Sequence, residues 1–201
     1  MKQNAVIALL WPSAQTLVSE YLNRNSDEIV ILSAGSGGIA PHLKGELGKK
    51  VILIESLCKL GPPSQAEYSA DIMSQLESWL ADGSYCQADW AGDTSQLTRL
   101  ISDQAKEVLP HLVTLAFGLE AAKELYNVTL LCVSEDLTAL GKFSALWAKK
   151  NAIPSIHFAH SVNLLRDSYT VHAAQSADIL AIYGERGIEA YLDMGVPKDR
   201  I

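Results

Sequence analysis

Short runs of Val, Ile, Leu and Ala recur along the chain, and between them lie longer stretches in which apolar residues return every three or four positions. The runs predict strands over 5–10, 29–33, 51–55, 128–133, 155–158 and 178–183. The longer stretches predict helices over 13–23, 40–47, 64–80, 95–126, 137–151 and 186–194. Strands that read as continuous apolar runs are those of a parallel sheet covered on both faces, and their alternation with helices is the pattern of βαβ units. The expected fold is therefore α/β, a Rossmann-like parallel sheet with helices on both faces, in one domain over residues 1–201.

Turn residues support these boundaries. Pro12-Ser13 closes the first apolar run, Gly61-Pro62-Pro63 precedes a helix that Ser64 can cap, and Asp82-Gly83-Ser84 ends that helix. The stretch 95–126 is too long for one uninterrupted helix with Pro110 inside it, so a kink or a split is expected there. No internal repeat, low-complexity tract or linker interrupts the chain.

Composition narrows the function. With 48% hydrophobic and 19% charged residues in 201, the chain can bury a sizeable core. Sixteen Lys and Arg against 23 Asp and Glu give a net charge of −7, and no basic run relieves it, which argues against a nucleic-acid footprint. Cys58, Cys86 and Cys132 are scattered singly and suit neither a disulfide framework nor a zinc site, so a reducing, cytoplasmic setting and no metal are expected. The apolar run 5–10 is too short for a signal peptide, and no stretch has the length of a membrane span; peripheral contact with a membrane stays open.

The segment 29–42 runs from a strand through Gly35-Ser36-Gly37-Gly38 toward a helix. Glycines let ligand oxygens approach the main chain, and free amides at a helix start attract phosphate or a similar group. Gly35, Gly37 and Ala40 satisfy G-x-G-x-x-A, and Glu55 follows twenty residues after Gly35, where an acid can bind ribose hydroxyls. The same residues also suit a plain strand-to-helix turn and a solvated acid. They resemble a dinucleotide fingerprint, the first motif of Rossmann-type S-adenosylmethionine methyltransferases, and the first loop of GT-B glycosyltransferases.

Two later stretches are more particular. One runs from Val128 to Val133, through Ser134-Glu135-Asp136 and a helix, to Ile153-Pro154-Ser155-Ile156-His157-Phe158-Ala159-His160-Ser161. The other begins Ala177-Asp178-Ile179 and passes Tyr183-Gly184-Glu185-Arg186 to Met194-Gly195-Val196-Pro197-Lys198-Asp199-Arg200-Ile201. Over 128–201 the chain resembles the late βαβ units of the N-terminal, acceptor-side domain of GT-B type glycosyltransferases. Departures are Ser161 where the family has glycine after the histidine, Ile39 where it often has histidine, and a strand-like segment ahead of the glycine loop.

That resemblance implies half of a transferase of polysaccharide biosynthesis, moving sugar from a nucleotide-sugar to a glycan or lipid-phosphate acceptor without a metal. The nucleotide-sugar would sit on a C-terminal donor domain outside these residues, and this half alone would be inactive. Gly35, Ser36, Gly37 and Gly38 would line the acceptor side, Glu55 and Glu185 would bind at the same rim, Asp136 would act as general base, and His160 would bind the acceptor or serve as base instead. Plainer roles stand beside these. Asp136 can be the N-cap of the helix over 137–151, and Glu185 can serve only the dipole of its own helix. His157 and His160 include room for a packed histidine bonded to the main chain, and Trp79, Trp90 and Trp147 read as core residues. Two other classes remain: an S-adenosylmethionine methyltransferase, with Tyr85 to Trp90 as a further nucleoside contact, and a non-catalytic Rossmann-like binding domain.

Overall fold

The computed structural model describes residues 2–10, 15–25, 27–32, 50–82, 94–134, 138–158, 176–193 and 195–201. Among the described residues six strands form one sheet: β1 (Asn4–Leu9), β2 (Ile29–Leu32), β3 (Val51–Leu53), β4 (Asn127–Val133), β5 (Ser155–Phe158) and β6 (Ile179–Ala181). Their order is β3-β2-β1-β4-β5-β6, and every pairing is parallel. The described helices are α1 (Gln15–Arg24), α2 (Ile54–Leu57), α3 (Pro62–Asp82), α4 (Thr94–Leu125), α5 (Ala139–Lys150) and α6 (Glu185–Asp193). The fold is α/β and Rossmann-like, as the pattern of apolar runs predicts. The expected helix over 40–47 lies outside the described residues.

Alternation along the central strands sorts their side chains into two cores. Ala5, Ile7 and Leu9 join Ile31, Leu131 and Val133 beneath Leu115, Leu119 and Ala122 of α4 and Trp147 and Ala148 of α5. Val6 and Ala8 face the other way, with Val30, Leu32 and Cys132, and are covered by Val18 and Leu22 of α1. Helices thus cover both faces, and each fully buried Ile or Leu contributes about 1.5–3 kcal/mol. A register shift between Ala5 and Val6 inserts Thr129 as an extra residue on β4, and its hydroxyl donates to the Ala5 carbonyl at 3.3 Å. Without that bulge, Leu130 and Leu131 would each face the opposite core.

Pro110 does not divide the helix that carries it. α4 continues through it as one 32-residue element. The proline is exposed, so the Lys106 carbonyl that loses its partner can turn to water, and the Thr114 hydroxyl donates to the Pro110 carbonyl at 3.0 Å. At 1.5 Å per residue α4 is about 48 Å long, roughly twice the strand β4 to which it returns. Leu97, Ile101, Ala105, Val108 and Leu112, all half-buried, continue at helical spacing the stripe that Leu115, Leu119 and Ala122 bury on the sheet. Gly118 lets α4 come close: a Cβ there would stand 2.7 Å from the Ile54 carbonyl oxygen and 2.8 Å from its side chain.

The last two helices leave by the same device. At the end of α5 the Ile153 N–H donates to the Ala148 carbonyl and the Ala152 N–H to Lys149; at the end of α6, Val196 donates to Tyr191 and Gly195 to Leu192. Both are Schellman exits, with Ala152 at φ 54° and Gly195 at φ 87° in the left-handed position. Ile153 and Val196 then fold back into the core, the latter on Tyr191, and Pro154 and Pro197 prevent the helix from continuing. After Pro197 a 3-10 turn, Lys198–Arg200, carries the Arg200 guanidinium to the carbonyls of Ala177 and Asp178. The Asp178 carboxylate in turn accepts from the Ser155 N–H at 2.9 Å and its hydroxyl at 2.8 Å. This ties the amino ends of β5 and β6 to the end of the chain described. A left-handed alanine costs roughly 1–2 kcal/mol against glycine, partly offset by glycine's larger unfolded-state freedom. Ala152→Gly should therefore raise the stability by about 0.5 kcal/mol and Gly195→Ala lower it by about 1 kcal/mol, read from denaturant midpoints.

Candidate functional site

Because all six strands are parallel, their carboxyl ends share one edge of the sheet, where α/β proteins bind ligands. β2 leads toward Gly35, Ser36, Gly37 and Gly38, β4 toward Asp136 and β5 toward His160; these six residues lie outside the described ones. The three strands that precede them occupy, with β1, four adjacent places in the sheet. At 4.7–4.9 Å per strand, the ends of β2 and β5 are about 14 Å apart, a span that a small ligand can bridge.

The order reverses between β1 and β4, which makes that junction the switch point. The glycine run follows β2, one place removed from it. The strand-like segment ahead of the glycine loop is β1, the central strand. In the dinucleotide arrangement the glycine turn follows the first strand, at the switch point; here the fingerprint is displaced outward by one strand.

Glu55 does not end a strand as expected. β3 stops at Leu53, and Glu55 stands in the first turn of α2, because Ile54 is drawn fully into the core beside Gly118 and turns the chain. Glu185 opens α6 and is exposed, where the helix dipole favours an acid. β3 and β6 are the two outermost strands, five spacings or about 24 Å apart. The acids following them therefore share a rim without sharing a small-molecule site.

The helix after β4 begins at Ala139 rather than 137, and Asp136 lies outside the described residues. The N-cap of α5 is Thr138, whose hydroxyl oxygen accepts from the Gly141 N–H at 3.1 Å. The N-cap position expected for Asp136 is thus held by Thr138.

Close to this part of the rim, one register step below Ser134, stands His157, which the motif pattern leaves in the shadow of His160. It pairs in register with Val133 on one side and Leu180 on the other, and is 5% exposed. Burial lowers its pKa to about 4, against a smaller opposing effect of a hydrogen bond to the Ser134 main chain. A main-chain contact that raises a histidine's pKa is one in which the ring N–H donates to a carbonyl. Nδ1 has no hydrogen-bond partner among the described residues. The Ser134 N–H meanwhile donates to the Leu9 carbonyl at 3.0 Å. Ser134 thus joins the carboxyl ends of β1, β4 and β5 through its own main chain. The sequence signal was the polar residue alternating inward between Ser155 and the rim on an otherwise apolar strand.

Other candidates resolve individually. Trp147 is a core residue, 7% exposed, and its indole N–H donates to Glu120 at 2.7 Å, which, with Lys123, holds that carboxyl below its ordinary range. Trp79 is not in the core: it is 49% exposed on α3. Trp90 lies outside the described residues. The Cys132 thiol is pushed up to about 12 by burial and stays protonated, which disqualifies it as a nucleophile at neutral pH. Among the described residues no group of three or more His, Cys, Asp or Glu could hold a metal, and no helix is long and apolar enough to cross a membrane. A cavity of about 290 Å³ between the α2–α3 connection and α4, lined by Leu57, Leu60 and Phe117 with Lys59 and Glu120, contains none of the candidate residues. The fold defines a Rossmann-like α/β protein. No protein-family model and no curated protein matches the chain.

His157 gives this edge a pH signature. Its pKa falls from 6.5 in the unfolded chain to about 4 in the fold, so between those values the unfolded chain binds the extra proton. Its contribution is complete above pH 6.5 and is lost as the pH drops toward 4, about 3 kcal/mol in all at 1.36 kcal/mol per unit. Denaturation of wild type and His157→Gln across that range should show a flatter pH dependence for the variant.

Proposed function

We propose that the chain is the N-terminal, acceptor-side domain of a GT-B type glycosyltransferase acting in the cytoplasm in polysaccharide biosynthesis. Its acceptor is a glycan or a lipid-linked phosphate, and the nucleotide-sugar is held by a C-terminal donor domain. One observation carries this reading: the strands leading to Gly35, Asp136 and His160 end at one edge of the sheet within four neighbouring places. The resemblance over 128–201 supports it, as does Thr138 taking the cap of α5.

Main-chain amides at Gly35, Ser36, Gly37 and Gly38 accommodate polar groups of the acceptor without side-chain obstruction. Asp136 takes the proton from the acceptor hydroxyl as it attacks the sugar, and His160 donates a hydrogen bond to the acceptor or takes that proton itself. Of the two acids assigned to the rim, only one can meet a given small ligand, and Glu55, beside the strand that leads to the glycine run, is the one retained.

Calorimetric titration of the 201-residue chain tests the reading. A polyprenyl phosphate or an oligosaccharide acceptor should bind, and Gly37→Val and His160→Ala should each weaken it by about tenfold or more. In a protein joined to its donor domain, Asp136→Ala and His160→Ala should lower kcat by on the order of 10²-fold. Micromolar binding of S-adenosylmethionine, or full turnover in both variants, would overturn the assignment.

A further inference from the structure

The outer face of α3 is used by neither the sheet nor the proposed transfer site. Tyr68, Ile72, Gln75 and Trp79 follow one another at spacings of four, three and four, so they line one face over about three turns. That face lies about a third of a turn from Met73 and Leu80, the residues α3 buries. Tyr68, Ile72 and Trp79 are 49%, 40% and 49% exposed, an unusual share for a helix otherwise rich in polar residues. The Tyr68 ring is set edge-on against Phe117 of α4, with centroids 5.1 Å apart. At the far end Trp79, Ser78, Ser74 and Asp82 line an open hollow.

The charge on this helix is one-sided. It contains Glu67, Asp71, Glu77 and Asp82 and no Lys or Arg. Glu77 lies on the side opposite the apolar strip and faces Lys106 of α4 at 3.8 Å. The other three lie along one margin of the strip: Asp71 accepts from the Gln75 amide at 3.0 Å, and Glu67 and Asp82 flank its two ends. A second copy of α3 would set carboxylate against carboxylate, and an anionic membrane would be repelled in the same way. The complement of an apolar strip edged with acid on one side is a helix whose apolar seam is edged with Lys or Arg.

We propose that the outer face of α3 docks a basic amphipathic helix of a partner protein. Tyr68, Ile72 and Trp79 receive the partner's apolar seam, and Glu67, Asp71 and Asp82 set its direction by pairing with its cations. The surface is independent of the transferase reading and stands or falls separately.

The test titrates the full 201-residue chain into two fluorescein-labelled synthetic helical peptides, one of Leu and Lys, the other with Glu replacing every Lys, and follows anisotropy. The Lys peptide should bind saturably and lose affinity with added salt, and the Glu peptide should not bind. Ile72→Glu and Trp79→Ala should each weaken the Lys peptide by about tenfold or more, and Asp71→Asn with Asp82→Asn should weaken it and flatten its salt dependence. Hydrogen exchange of the wild-type chain supplies a reading that needs no variant: the Lys peptide should protect amides across α3. Equal binding of both peptides, protection elsewhere than α3, or self-association of the chain that Trp79→Ala abolishes would each overturn the proposal.

Discussion

The parallel pairing of β1 with both β2 and β4 is the constraint from which the rest follows. Ala5, Val6, Ile7 and Ala8 are at most 4% exposed, so the strand has no solvent face and needs a helical layer above and below. Parallel neighbours cannot be joined by a tight hairpin; the chain must cross back over the sheet, and those crossings are the covering helices. The same requirement sends every carboxyl end to one edge. Variation in the loops at that edge leaves the two cores untouched, which is why chemistry gathers there rather than on the layers.

Most of this frame was legible in the chain. The strand expected over 155–158 is β5 to the residue, and the others agree within a few positions, because fully buried strands write themselves as unbroken apolar runs. What failed to show depends on contacts across distance. Glu55 looks like a strand end until Ile54 is seen beneath Gly118, and nothing local announces that Gly118, over sixty residues away, clears the space for it. Pro110 reads as a breaker, yet on an exposed face the lost hydrogen bond falls to a carbonyl that water can reach. Trp79 reads as core because apolar spacing on a helix does not say which of two adjacent stripes meets a neighbour; Met73 and Leu80 belong to the one that does. At the candidate site, the order of the glycine run, Asp136 and His160 along the chain was readable, whereas the four-strand neighbourhood of their preceding strands needed the sheet order.

The stretches around 151–154 and 194–200 have structural work of their own. Asn151-Ala152-Ile153-Pro154 and Met194-Gly195-Val196-Pro197 share one sequence logic: a residue that must turn left-handed, an aliphatic that folds back, and a proline that forbids continuation. Asp178 and Arg200, far apart in sequence, meet at the amino ends of β5 and β6. These segments therefore serve first to close βα units. Chemistry has to be argued from the opposite edge, where Asp136 and His160 are approached.

At that edge the decisive group is the Ser134 main chain. Its N–H is spent on Leu9 and its carbonyl on His157, so the ends of three strands are fixed relative to one another before any loop residue contributes. A histidine is costly in this position: burial keeps it neutral and leaves Nδ1 without a partner among the described residues, where an aliphatic residue would pack at no polar cost. The Ser155–Asp178–Arg200 tie holds the amino ends of β5 and β6 in a comparable way, so β5, only four residues long, is pinned at both ends by polar contacts. A short strand pinned at both ends gives a rigid base, and rigidity of the scaffold is the general condition for a precise site.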